Sequence, residues 1–375
     1  MEEFWKDIGR RDFLKRFSIG LTGIGTGMLT MKSSAENLKS IPKLKAKPPE
    51  ELPDTDVSLI TGTDRRQMIY ETLQPFKENI RKGIAGKKIL IKINCNRPDD
   101  QLVKTHPDAV RAILDFITPM YDGQIMIGES TAFTNGATTY ETYNHFGYFQ
   151  LEKEYNVKMV ELNDDDVTYH WILDRDLIPE RIGIINAFLD PNIYLISVTM
   201  LKTHDTATTT LSAKNVIMGS PLKNPERGIN YKSHMHGQGR KGTPSYSRSA
   251  KLLDVNMFKI AHFVQPDMCV LDGLVGAEGE GPNKCQPVDH KIALAGTDFV
   301  AVDRIGSELM GFAWEDLGFL QFCAIGGLGQ GNKDKIHILG PDPKDHIIKY
   351  KPHSQYWWQK QWNKPIDWGL IHPKG

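Results

Sequence analysis

The sequence has no closely spaced cysteines, no excess of either charge and no apolar run long enough to cross a bilayer. The four cysteines, Cys95, Cys269, Cys285 and Cys323, lie far apart, so the two-residue spacing of zinc and ferredoxin-type iron–sulfur sites is missing. The 46 lysines and arginines balance 46 aspartates and glutamates. That removes the long-range pull by which nucleic acids or anionic membranes gather a basic protein. No Gly-x-Ser-x-Gly occurs, which excludes a serine nucleophile elbow. "GQGRKGT" has Thr243 where a phosphate loop needs its lysine. "GGLGQG" at 326–331 follows no strand and has Asn332 at the third glycine position, so a nicotinamide site has no support. Neither solenoid repeats nor heptads are present.

What is present begins at the N-terminus. "GRRDFLKRFSIGLTGIGTGMLT" joins Arg10-Arg11 to Phe13, Leu14 and Lys15 and then to a glycine-rich apolar stretch. This resembles a twin-arginine export signal, with Ser33 and Ala35 at the spacing of a signal-peptidase site. Residues 1–35 are expected to be that signal, engaging the twin-arginine translocase and delivering a folded chain to the periplasm. An uncleaved signal would tether the protein to the membrane. In an oxidising compartment the four thiols form one or two disulfides or stay as buried free cysteines; the sequence leaves both open. Residues 36–56 are rich in proline and charge and read as a linker.

From 57 to 340 apolar runs alternate with helical periods. "KKILIKIN", "QIMIGES", "VKMVEL", "NIYLISVTM", "PDMCVLDG", "HKIALAGTD" and "DKIHIL" read as strands. "HPDAVRAILDFI" places Val110, Ile113, Leu114 and Ile117 on one helical face. The pattern predicts an α/β fold of the doubly wound type, a mainly parallel sheet with helices on both faces. Ligands in such folds bind at the carboxyl ends of strands.

Those ends carry Asn94 and Asn96, then Glu129, then Lys202 and His204, then Asp272. A histidine there suits a general base or metal ligand, and Lys202 with Lys214 on the next helix suits an anion. The threonines 208–210 are expected to cap that helix. Lys214 alternatively pairs with Asp272 or Asp303.

The block "VTMLKTH…LSAKNVIMG" resembles the domain of unknown function 362 family. So do "KKILIKINCN", "THPDAVRAI", "GES", "DMCVLDGLVGAEGEGP" and "LAGTDFVAVDRIGSELMG", in that order over roughly residues 57–312. The resemblance points to Lys92, Asn94, His106, Lys202, His204, Lys214, Asn215, Asp272, Glu278, Asp298 and Asp303. Some members carry an appended ferredoxin-type cluster; this chain lacks its cysteines, so that property does not transfer.

Residues 219–250 hold six lysines and arginines against one glutamate, with five glycines and three prolines. They are expected to form a long basic lid, with Arg240 and Lys241 gathering an anion and His234 and His236 at a ligand-like spacing. "GAEGEGP", with Glu278 and Glu280 beside Asp272, suggests an acidic cluster. The tail, 341–375, carries Trp357, Trp358, Trp362 and Trp368, rings expected to clamp it to the domain.

Two functions follow. One is an exported enzyme of the hydrolase or isomerase type acting on a small anion. Lys202, His204, Lys214 and Asn215 would be catalytic, and Asn94, His106, Glu129, Arg240 and Lys241 would bind substrate. Asp272, Glu278 and Asp303 would hold a divalent metal if the cofactor, otherwise unknown, is one. The other is a non-catalytic periplasmic binder or assembly factor with a redox or other protein partner. No nucleic-acid partner is expected.

Overall fold

The computed structural model describes residues 47–95, 102–131, 138–238, 245–282 and 284–364, so the expected export signal, Arg240, Lys241 and Trp368 lie outside the described residues. The strands are β1 (Thr55–Thr61), β2 (Lys88–Lys92), β3 (Ile125–Glu129), β4 (Val157–Glu161), β5 (Val167–Leu173), β6 (Pro179–Ile185), β7 (Ile193–His204), β8 (Thr208–Thr210), β9 (Lys223–Asn224), β10 (Ile229–Asn230), β11 (Met268–Glu280), β12 (Lys284–Gly296) and β13 (Ile336–Leu339). The helices are α1 (Arg65–Leu73), α2 (Lys77–Ile84), α3 (Pro107–Ile117), α4 (Thr139–His145), α5 (Leu151–Glu154), α6 (Ser212–Ile217), α7 (Tyr231–Met235), α8 (Tyr246–Ala261), α9 (Phe299–Leu309), α10 (Gly318–Ile325) and α11 (Tyr356–Gln359).

Nine strands form one sheet in the order β13-β1-β12-β11-β7-β2-β3-β4, with β8 folded back on β7. The run from β11 through β7, β2 and β3 to β4 is parallel, while β12 is antiparallel to both neighbours. The α/β reading of the sequence therefore holds. One face is closed by α1 and α3, whose Met68, Ile69, Val110 and Ile113 pack with Ile89, Ile91, Val198 and Val270. The opposite face receives α9, where Gly306 lies so close to Leu201 and Leu271 that an added Cβ would stand 2.8 Å from the Leu271 side chain. Such two-sided burial explains the unbroken apolar strands.

Local differences have physical causes. β1 and the β5–β6 hairpin were not anticipated, because β1 sits beside the charged linker and β5 mixes aromatic with polar residues. The threonines 208–210 are strand β8: Lys202 faces Thr210, Thr203 faces Thr209 and His204 faces Thr208. This pairing extends β7 four residues beyond Met200. The N-terminus of α6 is capped instead by Asp303, whose two carboxylate oxygens accept from the amides of Ser212 (2.9 Å) and Ala213 (2.8 Å). "GAEGEGP" belongs largely to β11. Its Gly281 packs against Thr203, whose carbonyl oxygen would be 2.1 Å from an added Cβ. All four cysteines are free thiols. The basic segment after Gly219 is partly ordered secondary structure: β9, β10, α7 and the start of α8.

Candidate functional site

Parallel strand order brings the carboxyl ends of β2, β3 and β7 to one rim, and α6 leans across them. Two polar clusters result.

The inner cluster is built from Lys92, Glu129, Ser130, Asn215 and Lys232. Lys92 forms an ion pair with Glu129, both almost wholly buried. Its ammonium also donates to the Ile93 carbonyl (2.7 Å) and to Asn215 Oδ1 (3.2 Å). Glu129 accepts from the Cys95 amide (2.7 Å) and the Ser130 amide (2.8 Å). Lys232, from α7, donates to Ser130 Oγ (2.9 Å) and to the carbonyls of Gly219 (2.9 Å) and Met218 (3.1 Å). Burial lowers the pKa of Lys92, against the pull of Glu129, and brings Lys232 to about 7. Gly219 is required here: a Cβ would stand 2.5 Å from the Asn215 carbonyl oxygen and 2.7 Å from Lys92 Cε.

The outer cluster is built from Lys202, His204, Asp205, Thr206, Lys214 and His236. Lys202 is 0% exposed, although it stands where the apolar run of β7 ends. Its ammonium donates to Asn94 Oδ1 (2.5 Å), and Asn94 Nδ2 donates on to Asn215 Oδ1 (3.0 Å), linking the clusters. Asp205 Oδ1 lies 2.9 Å from His204 Nδ1. The Thr206 hydroxyl donates to Asp205 Oδ1 (3.0 Å) and lies 3.4 Å from His236 Nδ1. The Thr206 amide donates to His204 Nδ1 (3.0 Å). Nδ1 thus sits between the Thr206 amide and the Asp205 carboxylate, and Nε2 is the ring nitrogen engaged by neither. The two imidazoles are nearly parallel, 20° apart with centroids separated by 6.4 Å.

Lys214 differs from the other buried lysines. Only 7% exposed, its ammonium has no hydrogen-bond acceptor among the described residues. Burial, with Lys202 adding to it and Asp205 opposing, brings its pKa down to about 7. Burial and the nearby Lys214 likewise hold His204 at about 4 and His236 at about 3, so both rings are neutral at physiological pH. Asp205 stays below the ordinary carboxylate range: burial raises it, and the two imidazoles and the Thr206 hydroxyl outweigh that. The tail forms part of the surround, since Gln359 donates to the His204 carbonyl (2.9 Å).

The sequence-selected residues thus divide. Asn94, Glu129, Lys202, His204, Lys214 and Asn215 converge. His106 does not reach them: its Nδ1 caps α3 by accepting from the Asp108 amide (3.1 Å). Asp272 pairs with Arg65 (2.7 Å) and its pKa is raised by burial. Glu278 accepts from the Lys351 amide (2.6 Å), and Asp303 caps α6 with its pKa brought by burial to about 7. The three carboxylates chosen for metal thus serve three separate contacts. No group of three or more His, Cys, Asp or Glu among the described residues is arranged to hold a metal ion. His234 turns to Glu180 (2.9 Å), away from His236. Lys232 and Asp205 were overlooked as contributors; each stands in a polar stretch with no periodic cue. Of the tail rings, Trp362 clamps, edge-on to Phe322 at 5.2 Å with its Nε1 donating to the Glu315 carbonyl (2.8 Å). Trp357 and Trp358 remain exposed.

Residues 89–308 match the model of the family described as domain of unknown function 362 (DUF362). A thylakoid-associated protein of Synechocystis sp. is 24% identical over 234 residues, covering 60% of this chain and 63% of its own length. A crystal structure of a Thermotoga maritima protein aligns over 76% of this chain and 62% of that one, with 11% identity and a TM-score of 0.41. The chain therefore spans less than two thirds of either relative. The family match covers more than half of the sequence, and the chain belongs to the DUF362 family.

Proposed function

We propose that this member of the DUF362 family binds a small anion between Lys214, Lys202, His204 and His236 and moves a proton on it. The observation that carries this reading is the largely buried Lys214 side chain, whose ammonium has no acceptor among the described residues. Desolvating a cation without an acceptor costs stability, and a bound carboxylate or phosphate oxygen would supply the missing one. In this reading Lys214 holds the anion, and Lys202, fixed by Asn94, adds positive potential. His204 Nε2 takes the proton while Asp205 stabilises the imidazolium that forms. Asn215 ties the anion-holding helix to the paired inner cluster.

Export by the twin-arginine route belongs to the same proposal. It rests on the motif in residues 1–35 and accords with a relative whose name places it at the thylakoid. No helix among the described residues is long and apolar enough to cross a membrane.

Two measurements test the site. Titration calorimetry with phosphate and with malonate at pH 6 is expected to show binding that Lys214→Met weakens about tenfold or more. Proton abstraction is then read by NMR as loss of the malonate methylene signal in D2O. Exchange should be faster with the protein than with its His204→Ala variant. Binding without exchange would leave the binder reading standing, and equal binding by wild type and Lys214→Met would sink the site.

A further inference from the structure

The β5–β6 hairpin carries a second feature, independent of the lysine site. β5 pairs only with β6, so its other edge faces away from any strand. The register fixes which backbone groups lie on that edge. Leu173 gives its N–H to Asn256 Oδ1 (2.8 Å) and takes Asn256 Nδ2 on its carbonyl (2.9 Å). Opposite it in β6 is Pro179, which has no N–H to give. Leu173 is therefore an outward-facing position. Because antiparallel pairs alternate between bonded and unbonded, Trp171 and Tyr169 also turn their N–H and C=O outwards. The far edge of β6 agrees: Gly183 and Ile185, opposite Tyr169 and Val167, bond outwards to Leu222 (3.0 Å) and Ser220 (2.9 Å). Among the described residues nothing occupies the corresponding positions beside Trp171 and Tyr169.

A cleft of about 580 Å³ runs along this edge. Its lining takes three consecutive residues of β5, Tyr169, His170 and Trp171, with Phe258 and Lys259 from the last turn of α8 and His262 and Phe263 just after it. Consecutive residues of a strand can line one cleft only where the cleft follows the strand's edge, since their side chains alternate between faces. Tyr169 is 48% and Trp171 56% exposed. Asn256 closes one end by offering an amide in place of a peptide. The cleft is apolar with positive charge at its margin: Lys259 lies in the lining, and Arg181 sits over Tyr169 (4.8 Å) and Trp171 (5.8 Å). The nearest carboxylate of β6, Glu180, is engaged by His234.

We propose that this cleft receives an extended segment of a partner protein, which adds to the open edge of β5 at Trp171 and Tyr169 as a further strand beside α8. A free edge facing a helix is the arrangement in which strand addition draws affinity from main-chain bonds and specificity from alternate side chains. Here the segment would set apolar side chains against Phe258, Phe263 and Trp171. An acidic residue would meet Lys259 and Arg181. A short edge flanked by charge resists pairing with its own copy yet accepts a matching strand.

A random peptide library displayed on phage, panned against the full chain, tests this. Enriched peptides should carry alternating apolar residues and an acidic one. Trp171→Ala or Lys259→Glu should weaken a selected peptide at least about tenfold, the loss typical of a central contact. Thermal unfolding verifies that each variant is folded. N-methylation of alternate peptide amides should abolish binding in one phase and spare it in the other, as strand pairing requires. Equal tolerance of both phases, failure to enrich any peptide dependent on Trp171, or Trp171-dependent uptake by phosphatidylglycerol vesicles in place of peptide binding would each overturn the proposal.

Discussion

The inner and outer lysine clusters lie side by side and are made of the same residue types, yet only one is complete. Around Lys92 and Lys232 every ammonium finds acceptors: Glu129, Ser130, Asn215 and three main-chain carbonyls serve it. Around Lys214 the walls are cationic or neutral, and the one carboxylate among the described residues there, Asp205, is committed to His204 and Thr206. Buried polar groups are normally satisfied. The finished cluster therefore reads as part of the scaffold, and the unfinished one as the place where something else supplies the acceptor.

The comparison breaks most visibly at Glu129. Glu129→Ala leaves Lys92 buried without its ion partner and should cost about 3–5 kcal/mol of stability, read as a lowered midpoint in urea unfolding. Asp303→Ala removes the acceptor of two amide N–H hydrogen bonds at the start of α6 and should cost about 1–3 kcal/mol. The same variant should weaken anion binding, because α6 carries Lys214 and Asn215. Lys214→Met should leave urea stability unchanged or raise it, while anion affinity drops about tenfold or more, equivalent to about 1.4 kcal/mol. If Lys214→Met destabilised the fold as Glu129→Ala does, the contrast between the clusters would collapse.

pH sharpens the contrast further. Anion binding by the ligand-free protein should be strong below the Lys214 pKa of about 7 and fall above it as the ammonium loses its charge. Proton transfer also needs neutral His204, which persists down to about pH 4. Exchange should therefore plateau between about 4 and 7 and decline on both sides. The stability sign is separate. Lys214 is depressed from 10.5, so its contribution is present above that value and is lost as pH falls through about 7. Lys214→Met should accordingly gain stability relative to wild type over that window, seen in paired thermal melts. The smallest effect is expected at Trp357, exposed on the tail: Trp357→Ala should change stability by no more than about 0.5 kcal/mol. Trp362→Ala, removing the clamp on Phe322, should cost more.

Much of this was readable along the chain. Apolar runs such as "KILIK" and "IYLISV" can only be strands covered on both faces, and the order of strands and helices then sets a mainly parallel sheet. Once that sheet exists, its carboxyl ends bring Asn94, Glu129, Lys202 and His204 to one rim, so local pattern was enough to choose them. Pattern could not say which cations would be paired. Whether Lys92 meets Glu129, whether Asp272 turns to Arg65, and whether Asp303 caps α6 depend on contacts between residues 37 to more than 200 positions apart. The free edge of β5 is equally invisible in sequence, because an edge is defined by the strand that is not beside it. Periodicity is local and determined the fold class. Pairing and burial are properties of the packed whole, and the tertiary structure alone decided which charge was left without a partner.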